Sequence, residues 1–149
     1  YLVAGFQQIA VPAPTDVIHY AIEKLDGIVG WLTLFGVECR DHNACDKDLV
    51  DEVVHKGGKL ARAEALKLTT LSHRYGTVLD FLAKVITASW AQIKATLEAR
   101  EQRSLPNSTI ANTLNTLIKT SLIIKSNGRY HITDPLLITG IQQESLPEG

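Results

Sequence analysis

No methionine occurs among the 149 residues. A chain of this length ordinarily carries a few, the initiator included. The absence points to a segment of a longer polypeptide or to loss of Met-derived residues, and a processed, Met-poor chain is the plainer alternative. Cysteine is scarce too, and two residues cannot staple a disulfide-dense secreted scaffold. Long apolar runs are missing: the longest, Gly27–Gly36 and Leu136–Ile141, are too short to span a bilayer. No basic–apolar–small signal sequence opens the chain, so a cytoplasmic, non-membrane protein is expected. Neither sign of charge dominates: the formal net charge is -1, which names no partner. The apolar fraction of 45% and charged fraction of 21% exclude a disordered or collagen-like chain. By size the chain is one large domain or two small ones.

Catalytic motifs are also wanting. Nothing matches the phosphate-cradling G-x-x-x-x-G-K-[ST] pattern, and Lys56-Gly57-Gly58-Lys59 lacks its spacing. No G-x-S-x-G elbow is present. Cys39, His42 and Cys45 form a C-x2-H-x2-C cluster, yet a structural zinc site needs four ligands and no second pair completes it. We expect two unpaired thiols in an interhelical loop of an intracellular protein, and neither a metal ligand nor a catalytic residue. The carboxylates of Asp46–Glu52 sit at a helix start, where the macrodipole accounts for them.

What is present divides in two. Residues 1–72 hold seven Lys/Arg against ten Asp/Glu, and residues 73–139 hold eight against four. This asymmetry predicts a helical unit over 1–72, a second unit over 73–139 and a polar, frayed tail over 140–149, most of it Gln142–Gly149. In the first unit Pro14-Thr15-Asp16 offers a helix cap, and Ile18, Ala21, Ile22 and Leu25 follow at helical spacing. Gly27 stands where a helix C-terminus favours positive φ. Gly30–Gly36 is apolar nearly all round, which predicts a short buried helix. A longer helical pattern runs through Val50, Val53 and Val54, with Gly57-Gly58 a potential break and Leu60, Ala63, Leu66 and Leu68 continuing the stripe.

The second unit has another grammar. Tyr75–Ile86 reads as a helix burying Val78, Leu79, Leu82 and Ile86. Ser89-Trp90-Ala91-Gln92 matches a capping box ahead of Ile93 and Leu97. Ser108–Thr120 is a third helix with Ile110, Leu114, Leu117 and Ile118 facing in. The period then changes to two, and Asn127-Gly128 between two β-rich runs is a strong hairpin signal. Three helices followed by a hairpin predict a winged helix-turn-helix, making the chain mainly α with a β-hairpin wing. In that fold the third helix can enter a major groove. Its outward face carries Ser108, Thr109, Asn112, Asn115, Thr116 and Lys119, all short hydrogen-bonding or cationic groups. Lys125 and Arg129 lie near the wing tip, within reach of a phosphate. Tyr130 is expected in the core and His131 to alternate outward. A polar face also serves solubility alone, and this one lacks the basic density that carries most non-specific DNA affinity. A stand-alone transcription regulator and a protein-docking winged helix both remain open.

Leu25-Asp26-Gly27-Ile28-Val29-Gly30-Trp31-Leu32-Thr33-Leu34-Phe35-Gly36 resembles the L-D-G-I-P-G-W-L-T-x-x-G stretch of archaeal AAA+-type (STAND-like) P-loop ATPases. Gly5-Phe6 resembles the end of the run before it. Arg129-Tyr130-His131-Ile132-Thr133-Asp134-Pro135 resembles the Y-x-I-x-D-P ending of that family's winged-helix region. The likeness covers roughly Gly5 to Leu137. Val29 replaces the family's Pro, and the join between Ile86 and Trp90 looks short. The resemblance implies the C-terminal part of a longer ATPase: a helical lid subdomain with Trp31 and Phe35 in its core, then a winged helix. The partner so implied is the N-terminal ATPase core of the same polypeptide, which would hold ATP and Mg; double-stranded DNA is a second expected partner. The same resemblance places no nucleotide or catalytic residue on this chain.

Overall fold

The computed structural model describes residues 2–9 and 11–147. Contacts divide the chain into two units, Tyr1–Gly58 and Lys59–Gly149, so the division falls earlier than the charge asymmetry at Ser72 suggested. It falls inside a single helix.

The first unit contains α1 (Leu2–Ile9), α2 (Thr15–Lys24), α3 (Val29–His42) and the first half of α4 (Lys47–Thr69). Pro14 precedes α2 without a side-chain cap, so the expected cap does not form and Asp16 serves the first turn through its charge alone. Gly27 adopts φ 64°, as a left-handed exit from α2 requires. Buried residues include Phe6, Val17, Ala21, Leu25, Leu32 and Phe35. The Phe6 and Phe35 rings meet edge to face at 6.0 Å, a geometry in which the positive edge of one ring faces the negative face of the other. The Gly30–Gly36 stretch is neither short nor wholly buried. It opens a helix that runs to His42, Val29, Gly30 and Thr33 are exposed, and Trp31 is half-buried. Ile22 is exposed, contrary to its expected place on the apolar face of α2.

Asp46 starts α4 by accepting the Leu49 N–H at 2.8 Å. The helix continues through Gly57-Gly58 rather than breaking there. Beyond the glycines the buried stripe is not the expected one. Leu60 and Ala63 are exposed, and Ala65 is buried with Ala61, Leu66 and Leu68 packed around the second unit's core.

The second unit adds α5 (His73–Val85), β1 (Ala88–Ser89), α6 (Trp90–Glu101), α7 (Asn107–Lys119), β2 (Ile123–Ser126), β3 (Arg129–Ile132) and α8 (Pro135–Gln143). It is a winged helix-turn-helix. Val78, Leu79, Leu82, Ile93, Leu97, Ile110, Leu114, Leu117, Ile123 and Ile132 form its core. Ile86 and Ile118 do not join it: each is exposed, at 49% and 38%. The three strands are antiparallel in the order β1-β3-β2, with Ile123 opposite Ile132, Lys125 opposite Tyr130 and Ala88 opposite Tyr130 on the other edge. Asn127 and Gly128 have φ 52° and 74°, the two positive values a type I′ turn demands. The Ser89–Gln92 capping box forms in both directions, at 3.3 and 2.9 Å. β1 has no counterpart in the periodicity, because two residues are too few to show one.

Two clamps close this unit. Arg74, at the start of α5, grips Glu101, at the end of α6, through Nε and Nη2 at 2.6 and 2.8 Å, and Arg103 adds a contact at 3.0 Å. These hydrogen bonds hold the Glu101 carboxyl at about 2, well below the usual carboxylate range. At the other end, the expected frayed tail is docked. Asp134 caps α8 by accepting the Leu136 N–H, and Pro135 takes the first turn, where no N–H is needed. Arg62 of α4 donates to the Glu144 and Ser145 carbonyls at 2.6 and 2.7 Å. Asp80 of α5 accepts the Leu146 N–H at 3.0 Å, and Leu146 is 2% exposed. Gly76 allows this approach: a Cβ there would meet Thr69 Cγ2 at 3.1 Å and Leu146 Cβ at 3.6 Å. Glu148 and Gly149, also expected in the tail, lie outside the described residues.

Two outcomes are expected. Leu146→Ala lowers stability by about 2–4 kcal/mol in chemical denaturation, as core truncation does, whereas a frayed end would change it negligibly. Because Glu101 titrates lower in the folded chain than in the unfolded one, its contribution is complete above the ordinary carboxylate range. It is lost as pH falls from about 4.3 toward 2. Glu101→Gln costs about 2 kcal/mol at neutral pH and flattens the stability profile across that acid window.

Candidate nucleic-acid interface

Ile110, Leu114 and Leu117 face the core at 0–2% exposure, and this burial sets the rotation of α7. At 100° per residue the opposite face presents Ser108, Asn112, Asn115 and Lys119, all exposed, flanked by half-buried Thr109 and Thr116. All six expected residues of the third helix thus lie on its outward side. The helix contains no acidic residue. Thr113, buried at 6%, satisfies its hydroxyl within the helix by donating to the Thr109 carbonyl at 2.9 Å. Pro106 precedes the helix without a side-chain cap, and Asn107 accepts instead from Lys94 Nζ at 2.8 Å. Lys94 also lies 3.7 Å from Glu98 and over the Trp90 ring, so α6 and α7 share one ammonium group.

The wing is less free than its sequence suggested. Arg129 does not simply project toward solvent. Its guanidinium donates to Thr87 Oγ1 at 3.0 Å, the Thr87 carbonyl at 3.1 Å and Gln92 Oε1 at 3.4 Å. Gln92 Oε1 is the same atom that closes the capping box on Ser89, so Arg129 ties the hairpin to the start of α6. Lys125 rests over the Tyr130 ring, with Nζ 5.5 Å from the centroid. Tyr130 is in the core as expected, at 6% exposure. His131 is half-buried, opposite exposed Ile124 on the edge strand. Thr87 and Lys94 were not singled out from the sequence, and Gln92 only for its capping box. The partners that tie them to the hairpin and to α7 lie thirteen positions away or more, and no local pattern encodes such pairs.

Arg62, Lys67, Arg74, Lys94 and Arg103 of the second unit each face a carboxylate within ion-pair distance. Among the described residues, Lys59, Lys84, Lys119, Lys125 and Arg129 face none, and of these Lys119, Lys125 and Arg129 lie on the third helix and the wing, where their charge is uncompensated.

The first unit offers an apolar groove of about 440 Å³, lined by Val3, Phe6, Gln7, Val11, Pro12, Ala13, Thr15 and Ile18. None of these described lining residues carries an ionisable side chain. Cys39 and Cys45 are free and buried. Cys39 lies in α3, not in the expected loop. His42 turns away to the Glu38 carbonyl at 2.9 Å. Among the described residues no three His, Cys, Asp or Glu side chains group as a metal site, and no helix is long and apolar enough to cross a membrane.

Residues 70–133 match the C-terminal winged helix-turn-helix domain of MCM proteins. The whole chain is similar in structure to a Walker-type ATPase of Pyrococcus abyssi, with a TM-score of 0.78 and 29% identity over 95% of this chain. It spans 39% of that protein's length. No curated protein matches the sequence. The chain therefore carries a winged helix of a kind associated with ATPases.

Proposed function

We propose that this chain is the C-terminal, non-catalytic region of an archaeal-type P-loop ATPase, a lid-like helical unit followed by a winged helix that binds duplex DNA. The likeness to a Walker-type ATPase along nearly the whole chain carries the first half of this reading. The acid-free outward face of α7, with Lys119 at its end and Lys125 on the wing, carries the second. In this reading the N-terminal core of the same polypeptide supplies ATP and Mg binding. The residues here supply the surface that meets DNA. Ser108, Thr109, Asn112, Asn115 and Thr116 suit hydrogen bonds to base edges and phosphates, Asn being able to pair twice with adenine. Lys119 and Lys125 supply phosphate charge, and Arg129 positions the wing. Exposed Ile118 and Ile124 favour a second reading, in which the winged helix docks on protein and regulates the ATPase.

Salt titration of duplex binding separates the two. DNA binding gives a falling log–log plot, and Lys119→Ala or Lys125→Ala each reduces its slope by about 0.9. Arg129→Ala also weakens binding, because its guanidinium both holds the wing and carries a charge that no carboxylate offsets. A wild-type slope near zero removes DNA and leaves protein docking. The purified chain is expected not to hydrolyse ATP, and measurable turnover refutes its assignment as a non-catalytic region.

A further inference from the structure

The C-x2-H-x2-C cluster has no part in the proposed interface, yet the fold brings its two thiols together. Asn43 ends α3 in the left-handed conformation at φ 50°. Its N–H bonds the Arg40 carbonyl and the Ala44 N–H bonds the Cys39 carbonyl, each at 3.1 Å, the paired bonds of a Schellman turn. That reversal carries Cys45 back against the last turns of the helix. Both sulfurs are buried there, next to each other across the turn and close enough for each thiol to perturb the other. The neighbouring polar groups are engaged elsewhere or repel a thiolate: His42 faces the Glu38 carbonyl, Lys56 faces the Glu38 carboxylate at 2.6 Å, and the Asp46 and Glu38 carboxylates disfavour negative charge on the sulfurs. Cys39 is fully buried and Cys45 is 9% exposed, so the two differ in access.

We propose that Cys39 and Cys45 are a modification site, closing to an intramolecular disulfide when the chain meets a hydroperoxide. The more accessible Cys45 loses its proton to solvent, and its sulfur attacks one peroxide oxygen. The O–O bond breaks, water or an alcohol leaves, and a sulfenic acid remains on Cys45. The Cys39 sulfur then displaces the hydroxyl, the S–S bond forms and water carries off the Cys39 proton. Two thiols have lost two electrons and two hydrogens, and the peroxide has taken them. Burial raises the pKa of both thiols, so the first step is slow at neutral pH. Proximity decides the product, because the resolving thiol is already in place. The bridge would staple the end of α3 to the start of α4 within the first unit.

The test is hydrogen peroxide treatment of the whole chain, followed by denaturation, alkylation and intact-mass analysis. The expected result is loss of two hydrogens' mass, no alkylation at either position, a Cys39–Cys45 linked peptide and full reversal by dithiothreitol. The oxidised chain should also melt a few degrees higher. Alkylation of both cysteines after treatment, oxygen addition at one of them, or disulfide-linked dimers would each overturn the proposal. Cys45→Ser is expected to leave Cys39 reduced under the same treatment. If that variant folds poorly, the wild-type mass alone still decides.

Discussion

Burial of one stripe of α7 is the constraint on which the candidate interface depends. Ile110, Leu114 and Leu117 enter a core built from Val78, Leu79, Leu82, Ile93 and Leu97, and each buried aliphatic side chain contributes about 1.5–3 kcal/mol. A helix cannot bury that stripe without turning Ser108, Asn112, Asn115 and Lys119 outward. Exposure of the polar face follows from packing, and it comes before any question of what the face meets. The same core takes Ile123 and Ile132 from the hairpin, which fixes the wing to the helix that precedes it.

Several polar contacts then hold this arrangement. The Arg74–Glu101–Arg103 cluster joins the start of α5 to the end of α6. Lys94 bridges α6 and α7, and Arg129 joins the hairpin to Thr87 and Gln92. Several side chains that look like generic surface cations are thus committed to specific partners. What the third helix and the wing offer an outside ligand is narrow: a neutral hydrogen-bonding helix face, Lys119, Lys125 and the charge of Arg129. A surface of that kind favours modest, strongly positioned contacts over bulk electrostatic capture.

The elements with local signals were legible in the sequence. Asn127-Gly128 specified its turn because few residues tolerate positive φ twice in succession, and Ser89 with Gln92 specified a helix start because the box needs only three residues of spacing. The inward stripe of α7 was legible by period, except at its margin, where Ile118 falls on the exposed side. Beyond the glycine pair in α4 the small Ala65, not Leu60, is buried, so size misled where spacing alone would not decide. The docking of residues 144–146 was hidden because Arg62 and Asp80 lie more than sixty positions upstream. The bonds that Arg129 makes within the chain were hidden for a similar reason: its partners are set by the β1–β3 pairing, which a two-residue strand does not announce.

The central claim is that the outward face of α7 and the wing meet duplex DNA. Amide chemical-shift mapping of the chain with a short mixed-sequence DNA duplex at low salt tests it most directly. The account predicts shifts concentrated at Ser108, Thr109, Asn112, Asn115, Lys119 and Lys125, fading as salt is raised. Absence of shifts there, or shifts confined to the first unit, would contradict it.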